Sequence, residues 1–525
     1  MIREQTETIF SALADTMGAE HVLTDEKSLA LFSADLFYEG TPPAAVISPG
    51  TTNQLAGAIK AITGAGLSVV PRGGGLSYSA GYVADQSDVV MVDTRRLNRI
   101  LEINEDDMFV TVEAGVTWAA LDAALARRNL RTPFWGTGSG KYATVGATLS
   151  QNGINYGSGQ YGFAGQTVIG LDVVIANGSV IKTGSGGNDQ SPSPFLRHYG
   201  PDLTGLFVGD CGALGIKSAA TLQLIHRPGA TCYAAYEYTS TDAFCEALSE
   251  VARHQLVSEC FGFDPGFTTM RTTYATMKDG LKLLCGVAKS EKTLGAGLKQ
   301  ALKVAAAGRK YLETIGYSIH VAIDGRDEDD AESRLKAAEE ILGKEGTAIE
   351  ASVPKVTRGT PFPDPNLILG HNGELWIPMH GIVPHSRFKA LLKNLDSFMD
   401  DHQTLINRHG LAWAITTVPA GPSGILVEPN LYWRDERSNL VESYLPASSL
   451  DQKPRYPADK EARAAVKQIR EGMIDVYRAL GGTHLQIGRV YPYLESRSPV
   501  VRATLNALKA HLDPQGRMNP GCLGL

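Results

Sequence analysis

The sequence predicts an α+β protein of at least two domains, on three observations. Its 525 residues are several times the usual domain length of roughly 100–200 residues. Strand-like and helix-like segments alternate as far as Pro228, after which glycine thins out and longer helical patterns appear. Three glycine-rich clusters interrupt apolar runs in the first part, each a place where the backbone approaches something closely.

The elements follow in order. Ala44–Ser48 is a short apolar run, Thr52–Thr63 places Leu55, Ile59 and Ile62 at helical spacing, and Leu67–Val70 is apolar again before Pro71, which gives strand, helix, strand. Ser87–Val92, Ile100–Ile103 and Phe109–Glu113 read as three further strands, and the alanine-rich Trp118–Arg128 as a helix. Leu171–Ala176 and Ser179–Thr183 flank Asn177-Gly178, a pair suited to the two positive-φ positions of a type I′ hairpin turn. Beyond Pro228, helices are expected over Glu291–Ala307, Asp327–Leu342, Ser386–His402, Ala458–Leu480 and Val500–Leu512. Arg358–His371, rich in proline, reads as a loop over a site.

Composition narrows the functional classes. Hydrophobic residues at 43% and charged residues at 20% belong to an ordinary globular protein, not a disordered or fibrous one. The 49 basic and 56 acidic residues give a net charge of −7 with no like-charge block, so neither nucleic acid nor a membrane surface is an expected partner. Polar and acidic residues interrupt the first eighteen positions where an export leader needs an unbroken apolar stretch, and no window approaches the roughly 20 apolar residues of a membrane span. A soluble, cytoplasmic protein is expected. The six cysteines form no CxxC pair and read as reduced thiols, with no metal site.

The most informative motif is Pro71-Arg-Gly-Gly-Gly-Leu-Ser-Tyr-Ser79, directly after a predicted strand. Consecutive glycines let several N–H groups converge on one point, which suits a diphosphate as well as a plain flexible turn. Gly136-Thr-Gly-Ser-Gly-Lys141 with Ala143-Thr-Val-Gly-Ala147, and Leu206-Phe-Val-Gly-Asp-Cys-Gly-Ala-Leu-Gly-Ile216, offer further exposed amides. Two formal matches fail on context. Gly157-Ser-Gly-Gln-Tyr-Gly162 fits GxGxxG, yet no strand precedes it and a strand is expected to follow; Gly138-Ser-Gly-Lys141 lacks the spacing of a Walker loop.

Taken in order, AAVISPGTTNQL, VVPRGGGLSYSAG, GKYATVGATLSQNG, GLDVVIANGSVIKTG, LFVGDCGALGI and the terminal DPQGRMNPG resemble the vanillyl-alcohol oxidase and para-cresol methylhydroxylase superfamily of FAD enzymes, over essentially the whole chain. The resemblance implies a two-part FAD-binding domain of the PCMH type, residues 1–228 and 478–525, with an inserted α+β cap, 229–477, over the flavin ring. It implies that Pro71, Arg72, Gly73, Gly74, Gly75, Leu76 and Ser77 hold FAD, assisted by Gly138, Ser139, Thr144, Val145, Gly146, Gly153, Gly215, Ile216 and Asn519. It also implies a hydride taken to flavin N5 from a benzylic or alcohol carbon of a small aromatic, para-substituted phenolic substrate, with oxygen or an electron carrier as acceptor and a homo-oligomeric assembly. Tyr78 falls where the phenol branch has a phenolate-holding tyrosine.

Three departures qualify the resemblance. The Tyr-Arg pair of the phenol branch is replaced by Gly481-Gly482-Thr483-His484, where His484 is a candidate phenolate anchor or an ordinary hydrogen-bonded histidine, with Arg489, Tyr491 and Tyr493 close by in sequence. The acid that vanillyl-type oxidases place before the LDVVIANG run is Phe163 here, so acid–base help is sought among His371, His380, His385, Tyr432 and Arg434, with His380 and Tyr432 preferred. The family's covalent-flavin positions read Leu76 and Gly424-Ile-Leu-Val-Glu-Pro, so dissociable FAD is expected, Tyr432 being the residual covalent candidate. The competing readings are an FAD-dependent D-2-hydroxy-acid dehydrogenase, whose metal-binding HxxDGNxH-like run is missing, and a non-catalytic flavin-binding relative.

Overall fold

The structure is a computed structural model and describes residues 2–191, 193–267, 316–364, 368–370, 372–450 and 452–525. The expected helix Glu291–Ala307, Cys285 and His371 lie outside the described residues.

Three sheets carry the fold. In the first, Ala45–Ile47, Val89–Asp93 and Ser68–Arg72 run parallel, with Val22–Leu23 antiparallel at the edge. The crossover is the helix Thr52–Gly64, which Thr51 caps by accepting the Gln54 N–H and which buries Leu55, Ile59 and Ile62. All five residues of Ser68–Arg72 are buried, as expected of a parallel strand covered on both faces. The chain's end returns beside this strand: Val69 N–H donates to Arg517 C=O at 2.8 Å and Asn519 N–H to Val69 C=O at 2.7 Å. The second sheet is antiparallel, in the order Ile100–Asn104, Phe109–Glu113, Ile216–Gln223, Val168–Val174, Val180–Lys182.

The third sheet begins just after Pro228 with Ala230–Tyr238 and, among the described residues, joins nine strands. Its far end brings Gly424–Trp433, Leu375–Pro378, Gly381–Pro384 and Thr483–His484 together. The helices Thr241–His254, Glu328–Leu342, His385–Asp401 and Lys460–Ala479 bury apolar faces in the same core as this sheet. Among the described residues no helix is long and apolar enough to cross a membrane.

Two local expectations are corrected. At Asn177-Gly178 only Gly178 has positive φ (83°); its N–H donates to Ile175 C=O at 2.9 Å and Asn177 Oδ1 accepts the Ser179 N–H. This is a three-residue turn closed by one left-handed glycine, a conformation Asn-Gly also suits, and not the two-residue type I′ turn; a Cβ on Gly178 would stand 2.7 Å from Ala56 C=O. After Gly157 a short helix, Ser158–Tyr161, precedes the strand, and the Gly157 N–H is taken by the Glu259 carboxylate at 2.9 Å.

Glu259 belongs to a buried charge network that joins the third sheet to the earlier part of the chain. Arg358 Nε donates to Glu259 at 2.7 Å and its Nη2 to Asp324 at 2.8 Å; Arg131 also reaches Asp324 at 2.8 Å, and Trp135 Nε1 donates to Glu259 at 3.1 Å. The neighbouring guanidinium groups hold the Asp324 carboxyl well below the usual range against the upward push of burial. Breaking a buried pair by removing one partner costs about 3–5 kcal/mol, so Arg358→Met is expected to lower stability by that amount in urea unfolding. A midpoint equal to that of the wild type would contradict this role.

Candidate active site

A cleft of about 330 Å³ opens where the glycine-rich turn, the segment from Thr137 to Asn155 and the third sheet meet. The turn is shaped by its surroundings. Arg72 is buried and its guanidinium donates to the carbonyls of Phe32 (3.2 Å) and Ala34 (2.8 Å), lying 5.1 Å over the Phe32 ring. Gly73 and Gly74 abut the next wall: added Cβ atoms would stand 2.5 Å from Thr144 Oγ1 and 2.2 Å from Tyr142 C=O. Gly75 has φ of +72°, and Tyr444 OH donates to Gly74 C=O.

These residues fit FAD on the chain's own polar accounting. Among the described residues, the N–H groups of Gly73, Gly74, Gly75, Leu76 and Ser77 find no acceptor, nor do those of Gly138 and Ser139. Clustered free amides of this kind match a diphosphate. The Asn155 Oδ1 atom in the cleft wall is buried without a hydrogen-bond partner among the described residues. Buried polar atoms left open in this way fit a polar ligand beside them.

The other wall is aromatic and ionisable. Tyr78 is buried, and its ring lies 5.5 Å from that of Trp376, which stacks at 6.2 Å on Tyr432. Burial, reinforced by Asp35, Glu428 and Tyr432, pushes the Tyr78 hydroxyl well above the ordinary phenol value, so it remains a hydrogen-bond donor. His380 precedes the strand Gly381–Pro384, whose partner strand carries Glu428 one residue beyond the Gly381–Val427 pair. The register places His380 Nε2 at 3.2 Å from the Glu428 carboxylate, and both residues line the cleft. Thr416 Oγ1 donates to Glu428 at 3.3 Å.

The structure brings together part of the expected set. Arg72, Gly73, Gly74, Gly75, Leu76, Ser77, Tyr78, Gly138, Ser139, Gly153 and His380 line the cleft. The remainder do not. Thr144 spends its hydroxyl capping the helix Val145–Gln151, and the N–H groups of Val145 and Gly146 are taken by Val116 and Ala114 carbonyls at 2.8 Å each. Pro71 is a buried strand residue, and Gly215 and Ile216 lie at the start of the second sheet's central strand, against Val173 and Val174. Asn519 is fully buried and donates through Nδ2 to Gly81 and Cys211 carbonyls at 2.8 and 2.7 Å. Arg489 donates to the carbonyls of Ala80 (2.5 Å) and Val83 (2.9 Å) and to Asn519 Oδ1 (2.9 Å), so its charge is absorbed by backbone.

His484 is likewise outside the cleft lining. Its Nδ1–H faces the His380 carbonyl at 2.8 Å, its ring stacks on Tyr491 at 4.3 Å, and burial pushes its pKa down to about 4. A neutral imidazole aimed at a carbonyl is no anchor for a phenolate. Tyr491 accepts the His380 N–H at 2.9 Å, and Tyr432 packs behind Trp376. His385 bonds the Pro422 carbonyl and Arg434 lies over the Tyr456 ring. Of the proline-rich stretch, Pro363, Asp364 and Ile368 line the cleft, with Asp364 paired to Lys141, while Arg358 and Gly359 end the helix Ser352–Gly359.

Glu428 and Trp376 were not singled out from sequence. The available signal was a lone acid within the otherwise apolar run Gly424-Ile-Leu-Val-Glu-Pro, which in a buried strand asks for a partner.

Comparison with known proteins bears on the cofactor. Residues 43–184 match the model of the FAD binding domain, and residues 455–523 that of the C-terminal domain of FAD linked oxidases. The glycolate oxidase subunit GlcD of Bacillus subtilis is 30% identical over 231 residues, 43% of this chain and 47% of that protein, so the match spans under half of this curated relative. Among solved structures, p-cresol methylhydroxylase with substrate bound superposes with a TM-score of 0.74 at 16% identity, covering 99% of this chain and 97% of the other. The 4-ethylphenol oxidase of Gulosibacter chungangensis, in an isoeugenol complex, gives 0.71 at 17% identity over 99% and 97%. At these identities the structural likeness speaks for the fold, while the two sequence matches cover the stretch with the glycine-rich turn and the chain's closing stretch. The chain therefore carries the FAD binding domain and the C-terminal domain of the FAD linked oxidases on a fold like that of p-cresol methylhydroxylase, with FAD as its cofactor.

Proposed function

We propose that the protein is an FAD-dependent oxidoreductase that takes a hydride from the benzylic or alcohol carbon of a small aromatic, para-substituted phenolic substrate. The observation that carries this reading is that the Tyr78–Trp376 ring pair at the end of the glycine-rich turn and the His380–Glu428 pair line the same cleft. Bound FAD supplies the hydride acceptor. The chain supplies the rest. Aromatic faces hold a flat ring, the Tyr78 hydroxyl donates to the substrate oxygen, and the His380–Glu428 pair accepts the phenolic proton. Loss of that proton pushes electron density into the ring and weakens the benzylic C–H bond to hydride departure. The hydride carries both electrons lost by the substrate, the proton stays with the pair, and the substrate is left as a quinone methide.

The hydroxy-acid alternative, suggested by the name of the glycolate oxidase relative, finds less support in the cleft. A 2-hydroxy acid carries a carboxylate that needs a cation. Among the described residues, Arg72 is the sole arginine or lysine lining the cleft, and its guanidinium is engaged by the Phe32 and Ala34 carbonyls. Glu428 would repel a second carboxylate. FAD is held without a covalent link in this reading, since Leu76 stands at the turn and Tyr432 is packed behind Trp376.

Tyr78→Phe tests the proposal. Losing a hydrogen bond to a charged oxygen costs about 1.5–3 kcal/mol, so bleaching of the flavin by a para-alkyl phenol is expected to slow roughly 10- to 100-fold while FAD stays bound. Bleaching at the wild-type rate would remove Tyr78 from the mechanism.

A further inference from the structure

The two side chains assigned to the substrate oxygen come from distant parts of the chain, Tyr78 from the end of the glycine-rich turn and His380 from the edge of the third sheet. One buried cluster links them. Arg470, on the helix Lys460–Ala479 and 1% exposed, donates from Nη1 to Tyr78 C=O at 2.7 Å and to Tyr38 OH at 3.2 Å. Its Nη2 reaches Tyr491 OH at 3.5 Å, and the guanidinium lies 5.5 Å over the Tyr491 ring. Tyr491 OH accepts the His380 N–H at 2.9 Å. The Tyr491 ring stacks nearly parallel on His484, whose Nδ1–H donates to His380 C=O at 2.8 Å.

Both flanking peptide groups of His380 are thus gripped, its N–H by Tyr491 and its carbonyl by His484, and the same guanidinium that meets Tyr491 also holds the Tyr78 carbonyl. We propose that Arg470, Tyr491 and His484 form a positioning clamp that sets the His380 imidazole against the Tyr78 hydroxyl and so fixes the geometry of proton acceptance. None of the three touches the cleft, and all act through backbone. The clamp rests on the reading of Tyr78 and His380 given above.

The clamp is tested on FAD-loaded Tyr491→Phe, His484→Leu, His484→Asn and Arg470→Met, by three readouts. These are FAD affinity, the dissociation constant of phenol itself, which has no benzylic carbon to oxidise, and the bleaching rate at saturating para-alkyl phenol. Misplacement of a reacting group by about 1 Å costs on the order of 100-fold in rate. The expected result is a fall of about that size in His484→Leu and Tyr491→Phe, with FAD and phenol affinities within about threefold of wild type. His484→Asn, whose side-chain amide can still donate to His380 C=O, restores most of the rate. The double variant Tyr491→Phe/His484→Leu is no slower than the worse single one, as for residues acting as a unit.

Unchanged rates, FAD and phenol affinities that fall together with the rate, or no recovery in His484→Asn would overturn the clamp. Arg470→Met removes a buried charge and can fail to fold; the other three variants carry the test in that case. If wild-type flavin is bleached by D-lactate and not by phenols, the aromatic reading fails, and the same variants are compared with lactate. The clamp then stands on a rate loss rescued by His484→Asn and falls without it.

Discussion

Gly74→Ala is expected to yield a protein that purifies without its flavin band. The added Cβ would lie 2.2 Å from the Tyr142 carbonyl oxygen and 2.9 Å from its carbon, and backbone on both sides leaves no flexible side chain to give way. The turn must open, and the N–H groups of Gly73 to Ser77 cease to converge. Each amide bond to a charged oxygen contributes about 1.5–3 kcal/mol, so losing two raises the FAD dissociation constant by more than about 100-fold. A ratio of flavin to protein absorbance equal to that of the wild type would show that the diphosphate lies elsewhere. Gly57→Ala, on the outer helix with open space at its Cβ, is the control for handling losses.

The second large effect is expected at Glu428. Glu428→Gln keeps the shape of the side chain and removes the anion that His380 Nε2 faces at 3.2 Å. General-base assistance is worth about 100- to 10,000-fold, so bleaching by a para-alkyl phenol at neutral pH should fall within that range, with FAD retained. The pH dependence gives the cause. A phenol ionises by itself near pH 10, so the variant's rate should climb as pH approaches that value, because the substrate then arrives without the proton that the pair would have taken. A loss that stays constant across pH would mean that Glu428 acts otherwise than as part of a proton acceptor.

How much of this was legible in the sequence depends on how local each signal is. Ser68–Arg72 and its glycine-rich turn are set by neighbours in sequence: an apolar run ends at Pro71 and three glycines follow, so the strand, the turn and several of the cleft-lining positions could be read directly. Tyr78 follows from the same stretch. The Asn177-Gly178 turn was misread because Asn-Gly suits both a two-residue turn and a three-residue turn closed by a left-handed glycine, and the pair alone does not choose between them. Thr144, Val145 and Gly146 looked available as phosphate donors, yet their polar groups are spent on a helix cap and on the neighbouring Val116 and Ala114 carbonyls.

The ionisable wall was harder still. His380 was named but its partner Glu428 was not, since only the antiparallel register between Gly381–Pro384 and Gly424–Trp433 sets them side by side. His484 occupies the place in sequence where a phenolate anchor is expected, but pairing of Thr483–His484 with Gly381–Ile382 directs its Nδ1–H to the His380 carbonyl. A sheet edge turned a presumed ligand-binding group into a support for one.

The central claim is a phenol-oxidising flavin site, and an anaerobic visible spectrum of the purified protein tests it most directly. The spectrum is recorded before and after addition of a para-alkyl phenol and, separately, of D-lactate. The account predicts a flavin band that the phenol bleaches and lactate leaves intact; a band bleached by lactate alone would contradict the aromatic assignment.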